Sequence, residues 1–363
     1  MPEIPQRTTL SPVGDDLRAR VPSRRATLAD VATLAGVSAA TASRSLRGVS
    51  KVSGDTRQRV LDAARELSYV TTLEAAGRRT VGVIVPFITR WFFSVATASA
   101  IDQLRAHGYD VLLYHLGSPD ARDAFFGRMP LSGRVDGILS LSMPLTEDHT
   151  LALRALGLPL VSLGSSIPGS PSVSIDEGRA ARSAVSHLLN LGHRRIGFIA
   201  GEPDDPRFDF TPSPGRQHGY QEALQTADID ADDQLIVRGQ PGIRGGVSAM
   251  AELLSRPQMP TAVFAEFDEL AIGAIIALRR AGLRVPQDIS VISIDNHEMA
   301  EFADLTTISQ DVSEQGRVAA QLLLQLLGVE PGVPGGQPLL LPTSLILRGT
   351  TAPPRSTWSE VSP

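Results

Sequence analysis

Short apolar segments alternate with helix-forming segments along most of the chain, and this alternation constrains the fold more than any other feature. Seven such segments are Val81–Phe87, Val111–Leu116, Gly137–Ser142, Leu160–Gly164, Ile196–Gly201, Ala262–Glu266 and Val291–Asp295. Helical patterns of about 10–15 residues lie between them, which is typical of parallel strands joined by right-handed crossovers. The number of strands predicts an α/β body with two doubly wound parallel sheets.

Charge is unevenly distributed along the chain. Residues 1–80 contain 13 Arg and Lys against 8 Asp and Glu, although the whole chain of 363 residues has a net charge of −5. A basic head on an acidic body predicts that only the head meets a polyanion. Residues 1–25 show no hydrophobic periodicity and are expected to form a disordered leader.

The composition also excludes several classes of protein. The chain has no cysteine, which excludes disulfides and thiolate chemistry. No apolar run reaches the length of about 18 residues that would cross a bilayer, and the N-terminus lacks the apolar core of a secretory signal. We therefore expect a cytoplasmic protein with no membrane partner.

The segment Thr27–Gly48 has the pattern of two short helices joined by a glycine-containing turn. Thr27 is a suitable cap for the first helix, in which apolar residues recur at helical spacing. Gly36 can adopt the left-handed conformation that ends this helix, and Ser38 can cap a second helix over Ala39–Leu46. The pattern predicts a helix-turn-helix unit.

A third helix is expected from Ser53 or Asp55 to Leu67, with an apolar face that packs on the first two. In the second helix, small residues allow close entry into the major groove, and Arg44 can donate two hydrogen bonds to guanine. The alternative is an ordinary three-helix cap whose arginines are only solvated.

The pattern T-L-x-D-V-A-x-x-A-G-V-S-x-x-T-x-S-R over residues 27–44, followed by V-S-x-x-T-R-x-R-V over residues 52–60, resembles the DNA-binding head of LacI/GalR-type transcriptional repressors. The resemblance implies that Ala39, Ala40 and Arg44 read the major groove. It assigns the other contacts of the head, to phosphates, bases or the DNA backbone, to Thr27, Ser38, Thr41, Ser43, Arg47, Lys51, Ser53 and Thr56.

The rest of the chain resembles the two-lobed, periplasmic-binding-protein-like body of the same family. The resemblance rests on VGVIVP (81–86), HLLNLGHRRIGFIAG (187–201), DELAIGA (268–274) and other motifs up to residue 350. It implies a homodimeric repressor that binds a palindromic double-stranded DNA operator on the bacterial nucleoid. A small-molecule effector such as a carbohydrate would bind in the cleft between the lobes, and no cofactor is expected.

These patterns divide the chain into domains. The DNA-binding domain is predicted at 26–70, a linker at 71–80, the effector-binding and dimerisation domain at 81–349, and a disordered tail at 350–363. Lobe 1 is predicted at about 81–176 and 312–338, and lobe 2 at about 177–308 and 339–349. The helix Ser313–Leu327 is apolar enough to lie either in the body or at a dimer face.

The linker departs from the family pattern. Family members usually carry a longer connection with a hinge helix, whose leucine wedges into the minor groove. Only 11 residues separate Tyr69 from Val81, and Leu73 is the one candidate for the wedge. An alternative hypothesis is therefore a cytosolic ligand-binding protein whose DNA-binding head is impaired.

Several candidate effector contacts lie at the ends of predicted strands, where ligands bind in open parallel sheets. By resemblance, Asp295 accepts hydrogen bonds from hydroxyl groups and Arg216 donates to them. Trp91 and Phe92 follow the first strand, and Phe267 stands where many relatives have Asn. The alternatives are a surface position for Arg216, a strand-end cap for Asp295 and core positions for the aromatic residues.

Enzyme chemistry is not indicated. The chain lacks the GxSxG, HExxH and GxxxxGK[ST] motifs, and His187 and His193 are six residues apart, so they do not share a helix face as metal ligands would. No metal site or catalytic residue is predicted. A solute-binding protein of a transport system would share the two-lobed body, but the attached helix-turn-helix unit argues against it.

Overall fold

The computed structural model describes residues 27–46, 52–67, 79–202, 214–332 and 338–355. The chain divides into two compact units between Arg78 and Arg79. The predicted leader at 1–25 lies outside the described residues, as do residues 68–78 and 356–363. The predictions for the leader and for most of the linker therefore remain predictions.

The described residues of the first unit form the helices α1 (Leu28–Leu34), α2 (Ala39–Leu46) and α3 (Gly54–Glu66). Their small hydrophobic core is centred on Val31, Ala42 and Val60, which are fully buried. Each helix contributes one of these side chains, so the three helices form one packed unit, as the sequence predicts.

Side chains at the helix ends explain why α1 and α2 begin and end where they do. Thr27 Oγ1 accepts a hydrogen bond from the backbone N–H of Asp30 at 3.4 Å, and the Asp30 carboxylate accepts one from the N–H of Thr27 at 2.7 Å. Gly36 has a φ of +65°, and Ser38 Oγ accepts from the N–H of Thr41 at 3.1 Å. The predicted caps and turn are confirmed.

The part of the second unit that the structure describes forms two six-stranded sheets. The strands are β1 (Arg79–Val85), β2 (Tyr109–His115), β3 (Gly137–Leu141), β4 (Leu160–Leu163), β5 (Ser172–Ile175), β6 (Ile196–Gly201), β7 (Ile236–Gly239), β8 (Ala262–Ala265), β9 (Ser290–Asp295), β10 (Thr306–Gln310), β11 (Leu339–Leu341) and β12 (Thr343–Ile346). The first sheet has the order β11-β5-β4-β3-β1-β2 and is parallel throughout. The second has the order β12-β10-β9-β8-β6-β7, and only β12 runs antiparallel.

Helices cover both faces of each sheet. They are α4 (Trp91–Ala106), α5 (Pro119–Arg128), α6 (Glu147–Ala155), α7 (Glu177–Asn190), α8 (Pro214–Thr226), α9 (Ile243–Leu254), α10 (Asp268–Arg280), α11 (Glu298–Phe302) and α12 (Val312–Leu326). Residues of α4 and α12 pack on one face of the first sheet, and residues of α5 and α6 pack on the other. The second sheet lies between α9 with α10 and α7 with α8. The two doubly wound sheets, hereafter lobe 1 and lobe 2, are as predicted.

The chain passes between the lobes three times, and one residue makes each crossing. Asp176 connects β5 to α7, Asp311 connects β10 to α12, and Pro342 connects β11 to β12. The two aspartates also cap the helices that follow, since their Oδ1 atoms each accept a backbone N–H at 2.8 Å, from Arg179 and Glu314 respectively. The crossings are therefore short and locally fixed.

Three predicted boundaries differ from the structure. The first strand begins at Arg79 rather than at Val81, because Thr80 continues the ladder with β2 and donates its N–H to the Asp136 carboxylate at 2.8 Å. Residues 339–341 belong to lobe 1 rather than to lobe 2, because β11 pairs with β5. Residues 350–355 are not a disordered extension: Thr350 is buried, and its Oγ1 accepts the N–H of Thr306 at 2.8 Å.

The leucine-rich helix predicted at 313–327 corresponds to α12, and it lies in the body. Leu323 and Leu324 are fully buried in the core of lobe 1. Leu322, Leu326 and Leu327 pack against the same core. These leucines therefore cover the first sheet, in agreement with the position in the body that the sequence allowed for this helix.

Candidate functional site

Helix α2 presents two different faces. Ser38, Ala39, Ala40 and Arg44 are exposed, whereas Ala42 on the opposite side is fully buried. Thr41 and Ser43, at the margins between these faces, are partly exposed. The exposed face carries short side chains and one long basic one, so a helix of this kind can approach closely to a partner surface.

The remaining candidate residues of the head have local partners or lie outside the described residues. The hydroxyl of Thr27 donates to the Asp30 carboxylate at 2.7 Å, and Ser53 Oγ donates to Thr56 Oγ1 at 2.8 Å. Arg44 Nε donates to the backbone oxygen of Ala40 at 3.2 Å, so this side chain follows its own helix. The positions predicted for Arg47, Lys51 and Leu73 lie outside the described residues.

A cavity of about 360 Å³ lies between the two lobes of the body, at the carboxyl ends of the parallel strands. Lobe 1 contributes residues that follow β1, β3 and β4, and lobe 2 contributes residues that follow β8 and β9 together with the start of α8. The lining residues are Arg90, Trp91, Phe92, Phe93, Ser142, Met143, Pro144, Gly164, Ser165, Ile175, Glu177, Pro214, Arg216, Pro241, Glu266, Phe267, Glu269, Asp295, His297, Gln310 and Gln315.

The structure brings all five predicted effector contacts to this cavity. Trp91 and Phe92 line it from lobe 1, and Arg216, Phe267 and Asp295 line it from lobe 2. They are far apart in sequence, and they meet because each follows or ends a strand whose carboxyl end faces the cleft. Their role in binding remains a proposal.

Arg216 is the central cation of the cleft floor and is only 7% exposed. Its Nε donates to Glu177 Oε2 at 2.6 Å, and its Nη1 donates to the backbone oxygen of Glu266 at 2.5 Å. Burial lowers the pKa of Arg216, but the carboxylates of Glu177 and Asp295 outweigh this effect and the net shift is upward. The interpretation of Arg216 as a surface residue is wrong.

Asp295 lies beside Arg216 at the end of β9. Its Oδ1 is 3.6 Å from Arg216 Nη1 and accepts a hydrogen bond from Gln310 Nε2 at 2.6 Å. Gln310 Oε1 in turn accepts from Gln315 Nε2 at 2.8 Å, which links the carboxylate to helix α12 of lobe 1. Burial raises the pKa of the Asp295 carboxyl above its usual range, although Arg216 opposes this shift.

Glu266 is a cleft residue that the sequence analysis missed as a site. Its side chain is only 3% exposed, and its Oε2 accepts the backbone N–H of Gly201 at 2.6 Å. Burial raises the pKa of Glu266 to about 7, although Arg216 and the N–H of Gly201 lower it. An acidic residue at the end of an apolar strand was the available signal, because a carboxyl is seldom buried without a specific partner.

Asp268 is buried beneath the cleft and serves the framework of lobe 2. Its Oδ1 accepts from Ser293 Oγ at 2.6 Å and from Thr307 Oγ1 at 2.7 Å, and its Oδ2 accepts the N–H of His297 at 2.7 Å. Burial raises its pKa, and these hydrogen bonds oppose the shift. Asp268 therefore ties β9, β10 and the start of α11 to α10.

Aromatic rings form the wall of the cavity on the lobe 1 side. The Trp91 ring lies against the His297 ring of lobe 2, with the centroids 4.9 Å apart. Phe92 and Phe93 pack edge to face at 5.3 Å. Phe93 is buried in the core, whereas Trp91 and Phe92 are partly exposed. Trp91 and Phe92, for which a core position was the alternative, therefore lie at the cavity wall rather than fully in the core.

The part of the chain that the structure describes contains no group of three or more His, Asp or Glu side chains suited to hold a metal ion. His187 and His193 instead contact the C-terminal segment: Nε2 of His187 lies 3.0 Å from Thr351 Oγ1, and Nε2 of His193 lies 2.9 Å from the Ala352 oxygen. Among the described residues, no helix has the length and apolar character needed to cross a lipid bilayer.

A helix-turn-helix unit followed by a two-lobed α/β body with a polar-floored cleft defines the class of ligand-responsive DNA-binding regulators. Residues 27–72 match the bacterial regulatory proteins of the lacI family, and residues 185–351 match the periplasmic binding protein-like domain. The chain is 38% identical over 347 residues to the HTH-type transcriptional repressor CytR of Escherichia coli strain K12. The matched region covers 92% of this chain and 99% of that protein. The chain belongs to the LacI family of bacterial transcriptional regulators.

Other relatives agree with this assignment. The HTH-type transcriptional regulator CelR of Thermobifida fusca is 33% identical over 90% of this chain and 98% of its own length. Among solved structures, the lac repressor dimer bound to operator and the anti-inducer ONPF is 29% identical, covers 91% of this chain and all of its own, and superposes with a TM-score of 0.71. A complex of the transcriptional regulator CelR with cellobiose is 32% identical over 90% of this chain and 100% of that chain, with a TM-score of 0.63. These relatives are regulators of transcription rather than enzymes.

Proposed function

We propose that this protein is a sequence-specific transcriptional repressor that binds a palindromic operator as a homodimer and is controlled by a small-molecule effector in the cleft between its lobes. The single observation that carries the proposal is the exposed face of α2, with Ala39, Ala40 and Arg44 directed away from the core of the head. It acts in the bacterial cytoplasm, on the nucleoid.

The chemistry of α2 supports base reading. The methyl groups of Ala39 and Ala40 offer apolar contact to thymine methyls and allow the helix to enter the major groove closely. Arg44 provides the guanidinium that can donate two hydrogen bonds to guanine. A homodimer would place two such helices on successive half-sites about one helical turn apart.

The cleft supports control by an effector. It joins buried polar groups with aromatic walls, which is the usual composition of a small-molecule site. Relatives were solved with cellobiose, with ribose and with the anti-inducer ONPF. An effector that contacts both lobes stabilises one arrangement of them, and it changes operator affinity to the extent that it prefers that arrangement.

Selection of bound sequences from a random duplex pool, with the purified full-length protein and no ligand, tests the proposal. We expect a palindromic motif whose half-site spacing reports the dimer. Recovery of no motif, with only salt-sensitive binding, would contradict sequence-specific recognition by the protein alone.

The second candidate function is ligand binding with an impaired head, and the short linker favours it. Strand β1 begins at Arg79, so residues 79 and 80 of the predicted linker belong to the body. Under this hypothesis the pool yields no motif, although the body still binds its ligand. A motif with a defined centre would exclude this candidate.

A further inference from the structure

We propose that the effector of this cleft is an uncharged ligand rich in hydrogen-bond donors, that phosphorylated or carboxylated ligands are rejected, and that Glu266 is the residue that sets this selectivity. The inference rests on the proposed role of the cleft as the effector site. It names a chemical class that the family assignment leaves open.

The described cleft wall has more carboxyl groups than cations. Its acidic members are Glu177, Glu266, Glu269 and Asp295, and its guanidinium groups belong to Arg90 and Arg216. Carboxylates are hydrogen-bond acceptors without donors, so the wall is complementary to hydroxyl, amine or amide N–H groups. A second negative charge in the same space is repelled, and burial strengthens this repulsion because the local dielectric is low.

The two guanidinium groups are already engaged. Arg216 donates to Glu177 and to the backbone oxygen of Glu266, and its Nη1 lies 3.6 Å from Asp295. Arg90 lies over the ring of Phe87, with its Cζ 3.4 Å from the ring centroid. An anion that took the Nε donor of Arg216 would displace the Glu177 carboxylate and place two negative charges beside one guanidinium.

Glu266 is the most distinctive part of this arrangement. One of its oxygens is held by the N–H of Gly201 at the end of β6, and the side chain reaches the cavity wall from the end of β8. The charged groups that face it are Arg216 on α8, Glu177 on α7, Arg238 on β7 and Asp295 on β9. Together with Glu266 itself, this group has three carboxyls and the two guanidinium groups of Arg216 and Arg238. The carboxyls are in excess, so the electrostatic field at Glu266 does not favour a further anion.

Protonation couples to the same selectivity. Burial raises the pKa of Glu266 to about 7 and that of Asp295 to about 8, so both carboxyls of the cavity wall gain or lose a proton close to neutral pH. A donor-rich neutral ligand binds the ionised carboxylate better, and an anionic ligand is tolerated only with proton uptake. Discrimination against anions is therefore expected to be strong at pH 8 and weaker at pH 6.

The test uses the full-length protein and isothermal titration at pH 8 and at pH 6. The probes are a set of sugars, polyols and nucleosides, including ribose, glucose, cellobiose and adenosine, together with the phosphate esters of ribose, glucose and adenosine. We expect at least one neutral compound to bind, and its phosphate ester to bind at least about tenfold more weakly at pH 8. Equal or tighter binding of the ester would overturn the inference.

Two variants assign the effect to a residue. Glu266→Gln keeps the shape and removes the charge, and it is expected to weaken the neutral ligand and to reduce the discrimination against its ester by about tenfold. Glu252→Gln removes the same charge from an exposed position on α9 outside the cavity wall, and it should change neither value. An unchanged ratio in Glu266→Gln, with an unchanged melting curve, would remove Glu266 as the specificity residue.

The outcome is separable from that of the proposed function. If no compound of either set binds while the duplex pool yields a palindromic motif, the inference fails and DNA recognition stands. If ligands bind with the expected selectivity but no motif is recovered, the inference stands and the impaired-head hypothesis gains support.

Discussion

Arg216 Nη1 and Asp295 Oδ1 lie 3.6 Å apart at the floor of the cleft, between the start of α8 and the end of β9. Both side chains also have other partners, because Glu177 accepts a hydrogen bond from the guanidinium and Gln310 donates one to the carboxylate. A ligand that enters this floor must join an existing network.

Replacement of Arg44 by alanine tests base reading. We expect Arg44→Ala to weaken specific operator binding by about 1–3 kcal/mol and to relax the preference at one base position, because the guanidinium donor pair is lost. Binding to a panel of operators with single base changes measures both effects. Arg134→Ala, an exposed position in the body, is the charge-matched control. An unchanged base preference would exclude Arg44 as a reader.

Asp295→Asn tests the effector site. Asn keeps the size and shape of the Asp295 side chain, and the change removes the carboxylate as an acceptor. We expect effector affinity to fall by about 1.5–3 kcal/mol, the range for a hydrogen bond to a charged group, while DNA binding without effector is preserved. Operator release against effector concentration measures this, with Asp148→Asn as the exposed control. A normal dose response would place the ligand elsewhere.

Gln315→Leu interrupts the link from Asp295 to lobe 1. The change leaves Gln310 Oε1 without its buried donor, which should cost about 1–3 kcal/mol of folding stability. We also expect saturating effector to change operator affinity less in this variant than in the wild type, because α12 is no longer linked through Gln310 to the Asp295 carboxylate. Chemical denaturation and operator titration measure the two effects. A full response at saturation would show that the lobes are coupled by another route.

The pH dependence of stability tests the environment of Glu266. Its pKa is about 7 in the folded protein against 4.5 for the unperturbed group, so between these values the folded state binds more protons than the unfolded state. Wild-type protein should therefore gain unfolding free energy relative to Glu266→Gln as the pH falls from about 7 to about 5. Denaturant unfolding of both proteins across this interval provides the comparison, in which contributions of other groups cancel. A constant difference would contradict the raised pKa.

Leu73→Ala tests the minor-groove wedge. If Leu73 inserts between base pairs, its truncation should lower operator affinity and reduce the bend of the DNA, because insertion unstacks and kinks the duplex. Gel mobility of circularly permuted operator fragments reports the bend. Thr71→Ala is the control in the same linker. Unaltered affinity and bending would show that the linker has no intercalating role.

Local chemistry made the head predictable from sequence. Thr27, Gly36 and Ser38 define their helix ends through contacts within three residues, and such contacts are visible in a single stretch of chain. Asp295 was found for a different reason, because a polar residue that ends an apolar strand lies at the ligand-binding edge of a parallel sheet. For these elements the pattern and the structure agree closely.

Contacts between distant segments were not predictable in this way. Glu177 reaches Arg216 across 39 residues, and Gly201 reaches Glu266 across 65. Whether a buried carboxyl meets a cation or a backbone N–H depends on packing that no local pattern encodes. Strand β11 was misassigned for a related reason: a three-residue apolar strand fits either sheet, and only its partner β5 decides.

The three single-residue crossings at Asp176, Asp311 and Pro342 determine how this protein can be recombined. Each sheet is assembled from separate stretches of chain, so no continuous fragment contains a complete lobe. A chimera that exchanges one lobe with a relative would need three matched junctions, whereas exchange of the head needs only one. New pairings of operator and effector are therefore far more accessible by replacing the head than by rebuilding half of the sensor.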